Sequence, residues 1–244
     1  MVVKVKSCFT QNNVISIHYL DSTQNQSDLT PLVYVPGILG NAEQFSDEME
    51  VFSSRRTLSL SLRGRGKSDA PKKGYSVADH AADIHAVIED SQITNFCLLA
   101  HSMGVPYAIK YAIQNQDQMK GFIICDYPAS YPLLPKGWEE EVISKGLVPI
   151  EREHVIRELR NDSKDIQLWD DLQKLTCPVL VLKGGAEGAL LHKEAVETYQ
   201  QNLQHVEVVE FLDAGHQLWV PDYQKFINTI QQFLESLDTN LKDQ

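Results

Sequence analysis

Residues 98–106 read Leu-Leu-Ala-His-Ser-Met-Gly-Val-Pro, an apolar run that breaks at a tight polar corner before helical spacing begins. A serine at the apex of a strand-to-helix corner sits in a strained backbone conformation, and large side chains two positions to either side would collide there. Ala100 and Gly104 meet that demand and leave Ser102 at the tip. The helix that follows aims its unpaired N–H groups and positive dipole end at the serine, which favours any anion formed beside it. Pro106 falls in the first helical turn, where a missing N–H costs little. The chemistry on offer is nucleophilic: an alcohol oxygen presented to an electrophilic carbonyl. Such an oxygen needs a base within hydrogen-bond reach, and imidazole is the side chain suited to it.

The elements that must hold this corner follow from periodicity. Val2–Ser7 and Val14–Tyr19 alternate apolar and polar residues and predict an antiparallel pair, with Gln11-Asn12-Asn13 as the turn. Six short apolar runs follow, at 32–35, 58–62, 96–100, 122–125, 179–182 and 206–211, each of a length that suits a strand buried on both faces. Between them lie helical stripes, Val77, Ala81, Ile84 and Ile88 in one and Phe226, Ile230, Phe233 and Leu237 in another. Alternation of this kind predicts an α/β fold, a mostly parallel eight-stranded sheet flanked by helices. The segment 127–176 breaks the pattern. Pro128, Pro132 and Pro135 come in quick succession, and helical stretches at 138–145 and 152–162 follow without a strand signal. It predicts a small helical lid inserted after the sixth strand, over the sheet edge where open α/β sheets bind ligands. The core is then 1–126 and 177–244.

Composition narrows the partners. With 244 residues, 43% of them apolar, the chain can build one large core, and its net charge of −11 leaves no basic face for a phosphate backbone. Nucleic acid is not expected as a partner. No apolar stretch approaches the ~20 residues that span a bilayer, and the N-terminus lacks a signal-peptide core, so a cytoplasmic location is expected. Cys8, Cys97, Cys125 and Cys177 are far apart and lack metal-ligand spacing, which predicts free thiols, mostly buried, and no metal or cofactor.

Four segments in order, Val-Tyr-Val-Pro-Gly-Ile-Leu-Gly (33–40), Ser-Leu-Arg-Gly-Arg-Gly-Lys-Ser-Asp (61–69), Ala-His-Ser-Met-Gly (100–104) and Asp-Ala-Gly-His (213–216), together resemble the α/β-hydrolase fold superfamily. The resemblance covers nearly the whole chain. It implies a triad in the chain order serine, acid, histidine, with His216 as the base that takes the proton of Ser102. The remaining seven histidines, His101 beside the serine included, are expected to pack or to face solvent. For the acid, the resemblance points to Glu187, which follows the glycines of Lys183-Gly184-Gly185, with Asp126 at the end of the sixth strand as the alternative. Two N–H groups must stabilise the oxyanion, and the resemblance implies those of Met103 and Ile38. The chain departs from the pattern in having Pro36 before Gly37 where histidine is frequent, and Ser61 where aspartate is frequent. Arg63, Gly64, Gly66 and Ser68 are expected to hold a loop.

The implied activity is that of a serine esterase acting on a small hydrophobic carboxylic ester. Phe45, Tyr131, Trp138, Trp169 and Trp219 are candidates for its apolar pocket. The same motifs also serve thioesterases, lactonases, C–C hydrolases, cofactor-free haloperoxidases and lyases, and a binding protein could retain the fold without turnover.

Overall fold

In the computed structural model, which describes residues 4–22 and 27–239, β1 (Lys6–Asn12) turns back into β2 (Ile15–Asp21) through Asn13 and Val14. Asn13 takes a φ of 55°, a left-handed conformation that asparagine tolerates. The pairing of Asn12 with Ile15 makes this a two-residue hairpin, so the turn falls later than Gln11-Asn12-Asn13. Val2 and Val3 of the expected first strand lie outside the described residues.

The chain then forms β3 (Leu32–Val35), β4 (Thr57–Ser61), β5 (Phe96–His101) and β6 (Met119–Cys125). After the short β7 (Ser130–Tyr131) and β8 (Ile166–Gln167), it returns with β9 (Val179–Gly184) and β10 (Val206–Phe211). Eight strands make one sheet in the order β1-β2-β4-β3-β5-β6-β9-β10. The β1–β2 and β2–β4 pairs are antiparallel and the others parallel.

Helices cover both faces because successive strand residues point to opposite sides. On one face, α2 (Val77–Ser91), α3 (Gly104–Asn115) and α6 (Lys193–Asn202) bury Ile84, Tyr107 and Tyr199 with Val33 and Val35. On the other, α1 (Ser46–Val51) and α7 (Tyr223–Thr239) bury Met49, Phe226, Ile230 and Phe233 with Leu32 and Tyr34. Among the described residues no helix is long and apolar enough to cross a membrane.

The stretch between β6 and β9 carries α4 (Trp138–Ser144) and α5 (Glu153–Asp162). Val142, Val155 and Leu159 of these helices share a buried cluster with Tyr75 and Tyr107. Polar ties fix the segment to the loop after β4: Arg152 Nη1 donates to the Ser68 carbonyl at 2.9 Å, and Asp162 accepts the Tyr75 N–H at 2.7 Å. Ser61, at the position where aspartate is frequent, accepts the Ala42 N–H at 2.9 Å and so secures the loop after β3.

Register decides what meets at the carboxyl edge of the sheet. Val35 lies beside Ala100, His101 beside Cys125, and Gly184 beside Phe211. The residues that follow these strand ends, Pro36-Gly37-Ile38, Ser102, Asp126 and the loop carrying His216, therefore emerge side by side.

Candidate active site

Ser102 sits at the corner between β5 and α3 with a φ of 55°. This conformation is strained for a side-chain-bearing residue and persists only where the surroundings fix it. Its N–H donates to the Cys125 carbonyl at 3.1 Å and its own carbonyl accepts from Val105 at 2.8 Å. The loop after β3 is pressed against the corner. A Cβ added at Gly104 would lie 2.5 Å from the Pro36 carbonyl oxygen, and one at Gly37 would lie 3.0 Å from the Ser102 Cβ. Only glycine lets the two segments approach this closely.

Ser102 and His216 line one cleft of about 590 Å³, together with Gly37, Ile38, Gln217 and Trp219. His216 Nδ1 donates to Asp126 Oδ2 at 2.9 Å, a bond that leaves Nε2 as the nitrogen free to take a proton. Asp126 is fully buried and has a φ of 47°. Its two oxygens also accept the N–H groups of Gly184, Leu190 and Leu191, at 3.1, 2.8 and 3.3 Å. Burial alone would raise its pKa, but the bonds from His216 and the three amides outweigh it and hold the carboxyl below its usual range.

The acid beside His216 is thus Asp126 and not Glu187. Glu187 lies in the turn after β9, where its side chain is exposed. Its backbone carbonyl, not its carboxylate, faces the histidine loop: a Cβ on Gly215 would lie 2.7 Å from that oxygen. The signal for Asp126 was present in the chain, since it directly follows the apolar run 122–125.

The N–H groups of Met103 and Ile38 form no hydrogen bonds within the protein among the described residues, which leaves both free for an oxyanion. The Ile38 loop is anchored from below. Arg65, only 6% exposed, donates from Nε to the Ile38 carbonyl at 2.8 Å and from Nη1 to the Arg63 carbonyl at 2.6 Å and to His80 Nε2 at 2.7 Å. His80 Nδ1 in turn donates to the Ser76 carbonyl at 2.7 Å. Burial and the neighbouring Arg65 keep this imidazole neutral, its pKa well below the ordinary value. Sequence reading missed this pair, because nothing local marks Arg65 as different from Arg63. Arg63 itself pairs with buried Asp83 at 2.7 Å and holds the loop.

His101 stacks on His216 with ring centroids 4.7 Å apart and meets Trp219 edge-on at 5.2 Å. Burial, and the nearby His216, lower its pKa to about 4. Of the aromatic candidates, Trp219 lines the cleft. Tyr131 packs near Tyr107 of α3 at 5.7 Å and Trp169 against Tyr199 of α6 at 5.0 Å, where the 127–176 segment meets those helices.

Comparison with known proteins decides the fold. Residues 30–145 match the model for the alpha/beta hydrolase fold, and the Bacillus subtilis AB hydrolase superfamily protein YisY is 24% identical over 84% of this chain and 92% of its own. The chain has the alpha/beta hydrolase fold, and its residues 30–145 match that family's model. A human (Lyso)-N-acylphosphatidylethanolamine lipase is 35% identical over 45% of the chain, a match that spans only 33% of that enzyme. Among solved alpha/beta hydrolase structures, the thermophilic esterase of Thermogutta terrifontis superposes with a TM-score of 0.80, at 19% identity over 96% of this chain and 99% of the esterase. Its sequence is too distant to speak to more than fold.

Proposed function

We propose that this alpha/beta hydrolase is a serine esterase that cleaves small, largely apolar carboxylic esters through an acyl-enzyme on Ser102. The observation that carries the reading is the chain of contacts from buried Asp126 to His216 in the cleft that Ser102 lines. In this scheme His216 Nε2 takes the Ser102 proton as the serine oxygen bonds to the ester carbonyl carbon. The charge that develops on the carbonyl oxygen is stabilised by the N–H groups of Met103 and Ile38. Collapse of the tetrahedral intermediate breaks the bond to the alcohol oxygen, which receives the proton from His216. Water then attacks the acyl carbon, passes a proton to His216, and releases acid and free Ser102. Asp126 fixes the tautomer of His216 and stabilises its cation. The helices of 127–176 act as a lid beside this site. The presence of a relative named N-formylmaleamate deformylase, 34% identical over 41% of this chain, leaves amide-like acyl groups as a second substrate class.

Hydrolysis of p-nitrophenyl acetate tests the proposal. The wild-type chain should turn over, and Ser102→Ala and His216→Ala should each lose about 10³-fold or more in kcat while melting cooperatively. Rates near wild type in either variant would move the site elsewhere.

A further inference from the structure

Beside the catalytic cleft, on the face of the sheet covered by α1 and α7, lies a second cavity of about 110 Å³. Tyr34, Gln44, His101 and Trp219 line both spaces, so a molecule at Ser102 has the cavity directly alongside. A space of this size accommodates about four or five non-hydrogen atoms, since an apolar cavity of ~150 Å³ takes up benzene. Its chemistry is specific. Glu48 is the one charged side chain on its wall, and among the described residues no lysine or arginine pairs with it. The carboxylate has the Tyr223 hydroxyl and Asp47 as neighbours, and burial pushes its pKa up. Aromatic rings line the same cavity: Tyr34 and Phe45, stacked on each other at 4.1 Å, and Trp219 and Phe226. His101 adds an acceptor. Its Nε2 lies 3.3 Å from the His216 carbonyl and donates to it, which leaves Nδ1 with a lone pair.

A half-buried carboxylate without a lysine or arginine partner among the described residues, in a cavity lined by the aromatic rings of Tyr34, Phe45, Trp219 and Phe226, suits an ammonium group. An anion would meet Glu48 as a like charge, and a purely apolar group would leave Glu48 without a counter-charge, its hydrogen bond from the Tyr223 hydroxyl aside. We infer that this cavity is a subsite for a short alkylammonium group carried by the substrate, with Glu48 as its counter-charge and Leu99 and Phe226 against its stem. The inference rests on the esterase reading and narrows it to esters whose acyl or alcohol part ends in an amine. The net charge of −11 would assist the approach of such a cation.

An NMR titration with n-propylammonium, 1-propanol and propionate tests the subsite without requiring turnover. The wild-type protein should bind propylammonium at least about tenfold more tightly than 1-propanol and should not bind propionate, with shifts centred on His101 and Trp219. Glu48→Gln should abolish the amine's advantage, and Trp219→Leu should reduce it. Equal affinities for amine and alcohol, no binding of the amine, or an advantage that survives in Glu48→Gln would overturn the inference. The contrast within the wild type stands even if a variant fails to fold. A protein that binds the amine yet leaves p-nitrophenyl acetate intact would retire the esterase reading and not the subsite.

Discussion

Asp126 follows β6 and Glu187 lies in the turn after the neighbouring strand β9, and at the scale of the single residue the course of that turn determines which carboxylate meets His216. Asp126 Oδ2 holds the Nδ1 proton, so amide replacement puts a donor or a poorer acceptor against it and disfavours the working tautomer. Asp126→Asn should therefore lower kcat by about 10³–10⁴-fold. It should also cost about 1–3 kcal/mol of stability, because the Gly184, Leu190 and Leu191 amides lose part of their acceptor. Glu187→Gln should leave both within experimental error. Steady-state kinetics and urea melts of the pair check this, and a larger kinetic loss in Glu187→Gln would reverse the assignment. Ser102 and His216 were legible as candidates because each follows a strand in a marked local pattern, and the two line one cleft. The choice between the two acids was not, since it depends on how Gly184-Gly185 bends the chain past Ala214 and Gly215.

Elements hold the reacting groups through contacts that sequence spacing does not reveal. The strands and the long helices were readable from apolar period, and α2 and α7 bury the predicted stripes. The loop after β3 was readable as a glycine turn, but not its anchor. Arg65 reaches the Ile38 carbonyl from 27 residues away, and its burial, with no carboxylate partner among the described residues, became evident only once α2 brought His80 beside it. A looser Ile38 loop harms the transition state more than substrate binding, because the oxyanion forms only on the way to reaction. Arg65→Met should then reduce kcat by about 10–100-fold with little change in KM. A boronic acid that mimics the tetrahedral state should lose affinity in parallel. A change confined to KM, with the boronate still bound as tightly, would assign Arg65 to folding alone.

Across the whole molecule, the sheet lies between two core layers, and the stacked His101–His216 pair lies at its carboxyl edge. His101 is held neutral, with a folded pKa of about 4, while the unfolded chain takes up a proton near 6.5. A folded pKa below the unfolded one means that stability is complete above about 6.5 and declines as pH falls towards 4. The loss from this group is at most about 3 kcal/mol, less to the extent that water reaches the ring. Denaturation midpoints followed from pH 7.5 to 4 should show that decline, and His101→Gln should flatten it. A wild-type profile as flat as the variant's would mean that His101 is already solvated. Asp126 extends the dependence to lower pH, since its depressed pKa withdraws stability only below the usual carboxylate range.

The central claim is that the serine at the β5–α3 corner is activated by the His216–Asp126 pair, and covalent labelling tests it most directly. Intact mass spectrometry after brief exposure to a fluorophosphonate should show one adduct per chain, mapped to the peptide that contains Ser102. Labelling should be absent in Ser102→Ala and slowed by at least about 10²-fold in His216→Ala. Folded wild-type protein that stays unlabelled, or an adduct on another residue, would contradict the account.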